Sequence, residues 1–256
     1  MGRAESMIAP DQIAPDQRSP ETSQHLLVFG ASGSIGQAVC AAAAAQDWRV
    51  TGVARTITCA EIAGVQMISL DPLYADFQPE LLRTDKPYTA ICWAQGANSN
   101  DSVYDVSTED HLQIYTANVV YILVTMKALL TSGLLMPATK MCIISSIWQN
   151  ITRPSKLSYC ISKAALQGLV LSASVDLAAD GHLINAVLPG ALDTPMTRRN
   201  LTPAQTAALA SATAFGRLPT LADVASLVCY LCSKDNTGIT GQFIAADLGF
   251  SHARLL

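Results

Sequence analysis

Charge is scarce in this chain: Asp, Glu, Lys and Arg make up 14% of its residues and aromatics 6%, while half are hydrophobic. A clustered basic patch of the kind that holds nucleic acid or an anionic membrane is missing. The 16 Lys and Arg are scattered among 20 Asp and Glu, for a net charge of -4, so neither kind of partner is expected. Also missing is an unbroken apolar run of the roughly 18–20 residues that a bilayer span requires; Lys, Asp, Gln or Gly interrupts the longest apolar stretches. The seven cysteines are odd in number and follow no disulfide-framework spacing. Together with an N-terminus that has no signal-peptide pattern, they lead us to expect a reducing cytoplasm, where the triplets at Asn100, Asn150 and Asn200 are chance glycosylation matches. Cys229-x-x-Cys232 has a spacing shared with zinc and redox sites, but it falls in an apolar helical pattern without a second ligand pair and reads as two buried small hydrophobes. His25, His111, His182 and His252 form no metal-spaced set, so no metal site is expected.

What is there begins with a polar tail. Residues 1–24 repeat Ile-Ala-Pro-Asp-Gln in tandem, at Ile8–Gln12 and Ile13–Gln17, and bury too little apolar surface to offset their ordering entropy. A mobile tail is expected, with a docking peptide as the other reading. From His25 onward, apolar runs alternate with helical patterns. Strands are expected at Leu26–Phe29, Arg49–Ala54, Val65–Leu70, Tyr88–Trp93, Lys140–Ser145, Leu183–Leu188 and Gln242–Ala246. Helices are expected at Ile35–Gln46, Thr108–Ser132, Ser158–Ala179 and Leu221–Ser233. Such alternation implies parallel pairing, hence an α/β doubly wound sheet with helices on both faces, in one domain spanning 25–256.

Gly30-Ala-Ser32-Gly33-Ser34-Ile35-Gly36 lies at the first strand–helix junction. Glycines there allow a tight turn and close backbone approach to a pyrophosphate, whose charge the helix N-terminus holds. Tyr159-x-x-x-Lys163 opens a later helix and puts a phenol and an ammonium on one face, the ammonium favouring the phenolate needed for general acid–base work. Ser146 precedes Tyr159 by thirteen residues, at the end of the fifth strand.

In these residues and their order the chain resembles the short-chain dehydrogenase/reductase family, in its single-domain, 3-oxoacyl-ACP-reductase-like form, from about Leu26 to Gly249. The loop is similar to the family's Gly-x-x-x-Gly-x-Gly, with Ser34 in place of the middle glycine. Read as Gly30-x-x-Gly33-x-x-Gly36 it resembles the extended branch, whose separate substrate domain this chain is too short to hold. The resemblance implies a Rossmann-type fold and hydride transfer between a nicotinamide cofactor and a ketone or secondary alcohol. Ser146 would hydrogen-bond the substrate oxygen, Tyr159 would give or take its proton, and Lys163 would bind the nicotinamide ribose and lower the phenol's pKa. Asn118 matches the helix asparagine that holds a relay water, or is a surface helix position; Ser145 is one residue out of register.

The second strand ends in Arg55 where an acidic residue would favour NAD, so NADP(H) is the preferred cofactor with NAD(H) possible, unless Arg55 is only a solvated surface residue. Asp71 matches the aspartate near the adenine and equally suits a turn before Pro72. Ala94-Gln-Gly96 stands where the family has Asn-Ala-Gly; Gly96 fits and the asparagine is missing. Pro189-Gly190 and Thr194 match the element beside the nicotinamide, and Leu248 replaces one glycine of a closing Asp-Gly-Gly. Trp93, Trp148 and Met196 shape an apolar substrate pocket or belong to the core. The same fold also serves epimerases, dehydratases and dinucleotide-binding redox sensors. The compact stretch Ala191–Arg217 argues against the former, and the intact Ser146, Asn118, Tyr159 and Lys163 against a sensor. The family also pairs its two long helices across a twofold axis, which implies a homodimer or homotetramer.

Overall fold

The computed structural model describes residues 24–74 and 77–252. The polar tail, apart from Gln24, lies outside the described residues. Seven parallel strands form one sheet in the order β3-β2-β1-β4-β5-β6-β7: β1 (His25–Phe29), β2 (Arg49–Ala54), β3 (Val65–Ser69), β4 (Tyr88–Trp93), β5 (Leu135–Ile144), β6 (Leu183–Pro189) and β7 (Phe243–Ala246). The apolar runs are continuous because both faces of each central strand are covered. Leu27, Phe29, Ile91, Trp93, Met141 and Ile143 point to one face, where α2 (Thr108–Tyr115), α3 (Tyr121–Thr131) and α4 (Leu157–Asp176) pack. Leu26, Val28, Ala90, Cys92, Cys142 and Ile144 point to the other, beneath α1 (Ser34–Ala44) and α7 (Leu221–Cys232). Between β6 and α7 lie two short helices, α5 (Pro195–Asn200) and α6 (Pro203–Ser211). Cys229 and Cys232 are buried on α7 against the sheet, as their apolar surroundings predict.

Three expectations about elements need correction. The long helix expected over Thr108–Ser132 is interrupted at Thr116–Val120 by a turn of wider pitch, in which the Tyr121 N–H reaches back to the Thr116 carbonyl. Such bulges tend to sit at functional sites, and this one carries Asn118. β5 begins at Leu135, five residues before the expected start, because a first paired segment at Tyr88↔Leu135 is separated by a register shift from the run that resumes at Ala90↔Lys140. Finally, Thr108–Thr131 taken as one 24-residue rod has a mean hydropathy of 1.5 over its most apolar window, so a segment long and apolar enough to span a bilayer is present after all. Val119, Ile122, Met126 and Leu129 pack on the sheet and 39% of that window is buried, while Leu112 and Leu123 of the same rod stay exposed. The short helices α5 and α6 and the single turns over Pro79–Leu82 and Ile147–Gln149 are not expected from the sequence, and at element ends α1 stops at Ala44, and α4 stops at Asp176 before a single short turn over Ala178–Asp180.

Candidate active site

Strand β1 lies between β2 and β4, so the chain winds outward in both directions from that point and leaves a crevice beyond the strands' carboxyl ends. A cleft of about 1040 Å³ opens there, at the top of the roughly 300–1,000 Å³ range of small-molecule sites. Gly30, Ser32, Gly33, Ser34, Ile35, Arg55, Asp71, Ala94, Gly96, Ser146, Tyr159, Lys163, Pro189, Gly190 and Thr194 all border it. Gly36 and Asn118 do not border it and are buried.

At the nucleotide end, Gly30 has φ +75°, and a Cβ on it would come within 2.4 Å of the Gln95 backbone nitrogen. A Cβ on Gly36 would lie 2.2 Å from the Gly30 carbonyl oxygen. Ser34 is the first residue of α1 in ordinary helical conformation, so nothing demands the family's glycine there. The start of α1 has no side-chain cap, whereas α2, α5, α6 and α7 are capped by Ser107, Thr194, Thr202 and Thr220. Its free N–H groups, with Ser34 and Ile35 on the cleft wall, form an anion cradle.

Beside this loop, both polar atoms of the Gln95 amide are buried without a hydrogen-bond partner. Burying an amide this way costs about 1–3 kcal/mol, a cost that a ligand with both donor and acceptor groups would relieve. Uncapped helix, glycine cradle and orphaned amide together fit a dinucleotide. Arg55 is exposed at the cleft edge, and Asp71 both borders the cleft and makes the expected turn contact, its Oδ1 accepting the Leu73 N–H at 3.1 Å.

At the other end, α4 presents Tyr159 and Lys163 one turn apart, with the Lys163 Nζ 5.7 Å from the Tyr159 ring centroid. The ammonium donates to the Ile144 carbonyl at 2.9 Å, and Ser146 faces the phenol and favours its ionised form. Ser145 is turned aside and donates to Gln149 Oε1 at 2.6 Å, which leaves Ser146 facing the tyrosine. Burial pushes the phenol up to about 12, only partly offset by Ser146, and draws Lys163 down to about 8. The expected downward pull of the ammonium does not govern the phenol: desolvation, which disfavours both charged forms, is the largest influence, and the serine rather than the lysine opposes it.

Asn118 is buried, not at the surface. Its Nδ2 donates to the Ala97 carbonyl at 3.0 Å and to Ser162 Oγ at 2.8 Å, and its Oδ1 accepts the Ala97 N–H at 2.7 Å. Both amide hydrogens are therefore used in clamping the loop after β4 to α4. The relay water that the resemblance implies could reach only the second lone pair of Oδ1. Thr194 uses its hydroxyl to cap α5, accepting the Thr197 N–H at 3.3 Å at the cleft wall. Trp93 is core: it is fully buried and donates its indole N–H to Thr125 Oγ1 at 2.8 Å. Trp148 lines the cleft, while the Met196 side chain lies outside the described residues.

Two residues escaped the sequence reading. Gln95 carried a signal, a bulky amide at a strand end beside a glycine. Lys156 carried another, a lysine one helical turn before Tyr159 that is 3% exposed and also borders the cleft.

A family model described as enoyl-(acyl carrier protein) reductase matches residues 69–251. The chain is 26% identical over 239 residues to an uncharacterised oxidoreductase, YmfI, of Bacillus subtilis (strain 168), covering 88% of this chain and 97% of that one. It is 25% identical over 233 residues to the 3-oxoacyl-[acyl-carrier-protein] reductase FabG of Escherichia coli (strain K12), covering 87% and 95%. The solved structure of ElxO with NADP bound superposes with a TM-score of 0.78 at 22% identity, covering 89% of this chain and 98% of that one.

Proposed function

Since the chain belongs to the short-chain dehydrogenase/reductase family, we propose that it is an oxidoreductase that interconverts a ketone and a secondary alcohol, with NADP(H) preferred over NAD(H). The observation that carries this reading is the meeting of Ser146, Tyr159 and Lys163 on one wall of a dinucleotide-sized cleft, with the serine facing the phenol. The nicotinamide, when bound, supplies or accepts hydride. Everything else falls to the chain. The N-terminus of α1 and the Gly30–Gly36 loop hold the pyrophosphate; Asp71 borders the adenine, and Gln95 offers its amide to the dinucleotide. Pro189, Gly190 and Thr194 flank the nicotinamide, and Lys163 holds the ribose. Ser146 bonds the substrate oxygen. In reduction Tyr159 Oη gives that oxygen a proton, and in oxidation it takes one back. At neutral pH the half-buried phenol holds its proton, which is the form reduction requires.

Three observations support NADP(H): no acidic side chain ends β2, Arg55 stands exposed at the cleft edge, and the similar ElxO structure has NADP bound. Because of the similarity to FabG, 3-oxoacyl thioesters belong in the first substrate panel. The test is a ketone panel with NADPH and NADH, followed at the cofactor's absorbance. Tyr159→Phe should lower turnover at least about a hundredfold, the low end for loss of a general acid, while dinucleotide binding stays nearly intact. Turnover within a few-fold of the parent would remove Tyr159 from the mechanism.

A further inference from the structure

Lys156 is a buried ammonium satisfied entirely by neutral oxygens. It immediately precedes α4, three residues before Tyr159, and donates to Asn98 Oδ1 at 2.8 Å, the Ser99 carbonyl at 3.0 Å and Asn100 Oδ1 at 2.7 Å. All three of its N–H bonds are thereby used. Among the described residues the ion pairs are Arg49–Asp85, Arg198–Asp193 and Arg217–Asp223, and none includes Lys156. Its Nζ stands 5.7 Å from the Tyr159 ring centroid, the same distance as the Nζ of Lys163.

We propose that Lys156 is a second positioning cation of the active site: it fixes the loop after β4 against α4 and, with Lys163, stabilises the Tyr159 phenolate. The proposal builds on the oxidoreductase reading and adds a residue to its proton-transfer machinery. A cation within about 6 Å of a ring centroid is attracted to the ring, and the attraction grows once the phenol loses its proton.

Few other charged or titratable groups compete. Lys163 and Cys160 lie on α4, and Ser146 faces the phenol from the end of β5. Arg153, on the loop before α4, repels Lys156, and Asp101, on the loop after β4, attracts it. The Asp101 carboxylate accepts the Ser158 N–H at 3.0 Å, and from α2 His111 bonds the Ser158 hydroxyl at 2.9 Å. Burial draws Lys156 down to about 8, so near pH 7 most of the population still carries the charge. With three donors spent on the loop, the ammonium has none left for a substrate, and its influence on the reaction runs through Tyr159.

The experiment is a tyrosinate absorbance titration with and without NADP+, in which Tyr159 is isolated by subtracting Tyr159→Phe, alongside the pH profile of kcat/KM for alcohol oxidation. Lys156→Gln removes the charge. Asn98→Asp keeps the acceptor and neutralises the ammonium, so it tests the same point without breaking the loop contact. In the NADP+ complex, where the added positive charge brings the phenol's transition down toward the range in which Lys156 is still charged, both should move that transition and the acidic limb up by about one pH unit, with kcat for oxidation at pH 7 down about tenfold and KM little changed. Lys156→Arg should return both toward the parent. If neither Lys156→Gln nor Asn98→Asp moves the transition, or if Lys156→Arg is shifted as far as Lys156→Gln, Lys156 is only a loop brace and the proposal falls. Should Lys156→Gln fail to fold, Asn98→Asp and Lys156→Arg decide between the same outcomes. The titration requires no turnover, so its result stands apart from whether any ketone is reduced.

Discussion

Tyr159 and Lys163 are displaced in opposite directions by the same cause, loss of hydration. Lys163, ordinarily near 10.5, is drawn down to about 8, so its charged form is lost as pH rises through 8, two units earlier than for an exposed lysine. Reduction uses the neutral phenol and the charged ammonium together. We therefore expect kcat/KM for ketone reduction to be flat from about pH 6 to 7 and to fall several-fold by about pH 9. Oxidation, which starts from the phenolate, should rise over the same window because the phenol lies near 12. A pH profile of NADPH consumption at ketone concentrations well below KM checks this, and a flat line to pH 9.5 would contradict it. Arg55 decides a second residue-scale question. Among the described residues it is the one cation at the expected 2′-phosphate position, since Ser32, Gly33 and Ser34 add no charge. One charge-assisted contact of about 1.5–3 kcal/mol corresponds to a preference for NADPH of about ten- to a hundredfold. Arg55→Ala should raise the KM for NADPH and leave NADH kinetics nearly unchanged, and Arg55→Asp should favour NADH. Tighter binding of NADH than NADPH by the parent would make Arg55 a bystander.

At the scale of elements, the β1–α1 junction carries the cofactor end because its glycines let backbone meet backbone. A methyl group on Gly36 would press on the Gly30 carbonyl oxygen at 2.2 Å and on the Ala31 Cα at 2.9 Å, neither of which can swing away. Gly36→Ala is therefore expected to cost about 1–3 kcal/mol of stability and lower Tm by several degrees. It should also weaken dinucleotide binding more than tenfold, since the α1 N–H groups would be displaced from the cradle. Ser34→Gly, at a position with ordinary helical geometry, should change binding less than about threefold. Thermal melting and a dinucleotide titration on the two variants test the contrast; equal effects would mean that the cradle does not depend on Gly36. Leu248 shows the converse case: the residue that replaces a family glycine holds φ +55°, and Asp247 stabilises that turn by accepting the Gly249 and Ser251 N–H groups at 2.9 Å each.

At the scale of the molecule, the two faces of the sheet are closed differently. Helices α1 and α7 pack against each other over one face, whereas α2, α3 and α4 over the other leave Leu112, Leu123, Ile161, Leu171 and Val175 exposed. We propose that a second copy covers these residues by helix packing, giving a homodimer or homotetramer. Light scattering at micromolar concentration should return a multiple of 27.1 kDa. Val175→Glu, at a residue 74% exposed, should lower that mass with little loss of secondary structure. A monomeric mass for the parent would overturn the proposal.

By itself the sequence determined the alternation of strands and helices, the parallel sheet, and the register of Ser146, Tyr159 and Lys163, because each of these is written in short-range periodicity and spacing. Leu26–Phe29 reads as a buried strand before any partner is known, and Tyr159 and Lys163 share a face wherever that helix is placed. Tertiary structure alone decided the rest, since it depends on what each side chain meets. Thr108–Thr131 has the composition of a membrane span until the packing of one side of it on the sheet is seen. Asn118 suits a helix surface until the turn at Thr116–Val120 brings it against Ala97 and Ser162. The orphaned amide of Gln95 and the neutral oxygens around Lys156 come from loops distant in sequence from the groups they face, and no local pattern encodes such meetings. The pKa values follow the same rule: spacing predicts a phenol lowered by its lysine, and burial, which only the closed fold imposes, raises it instead.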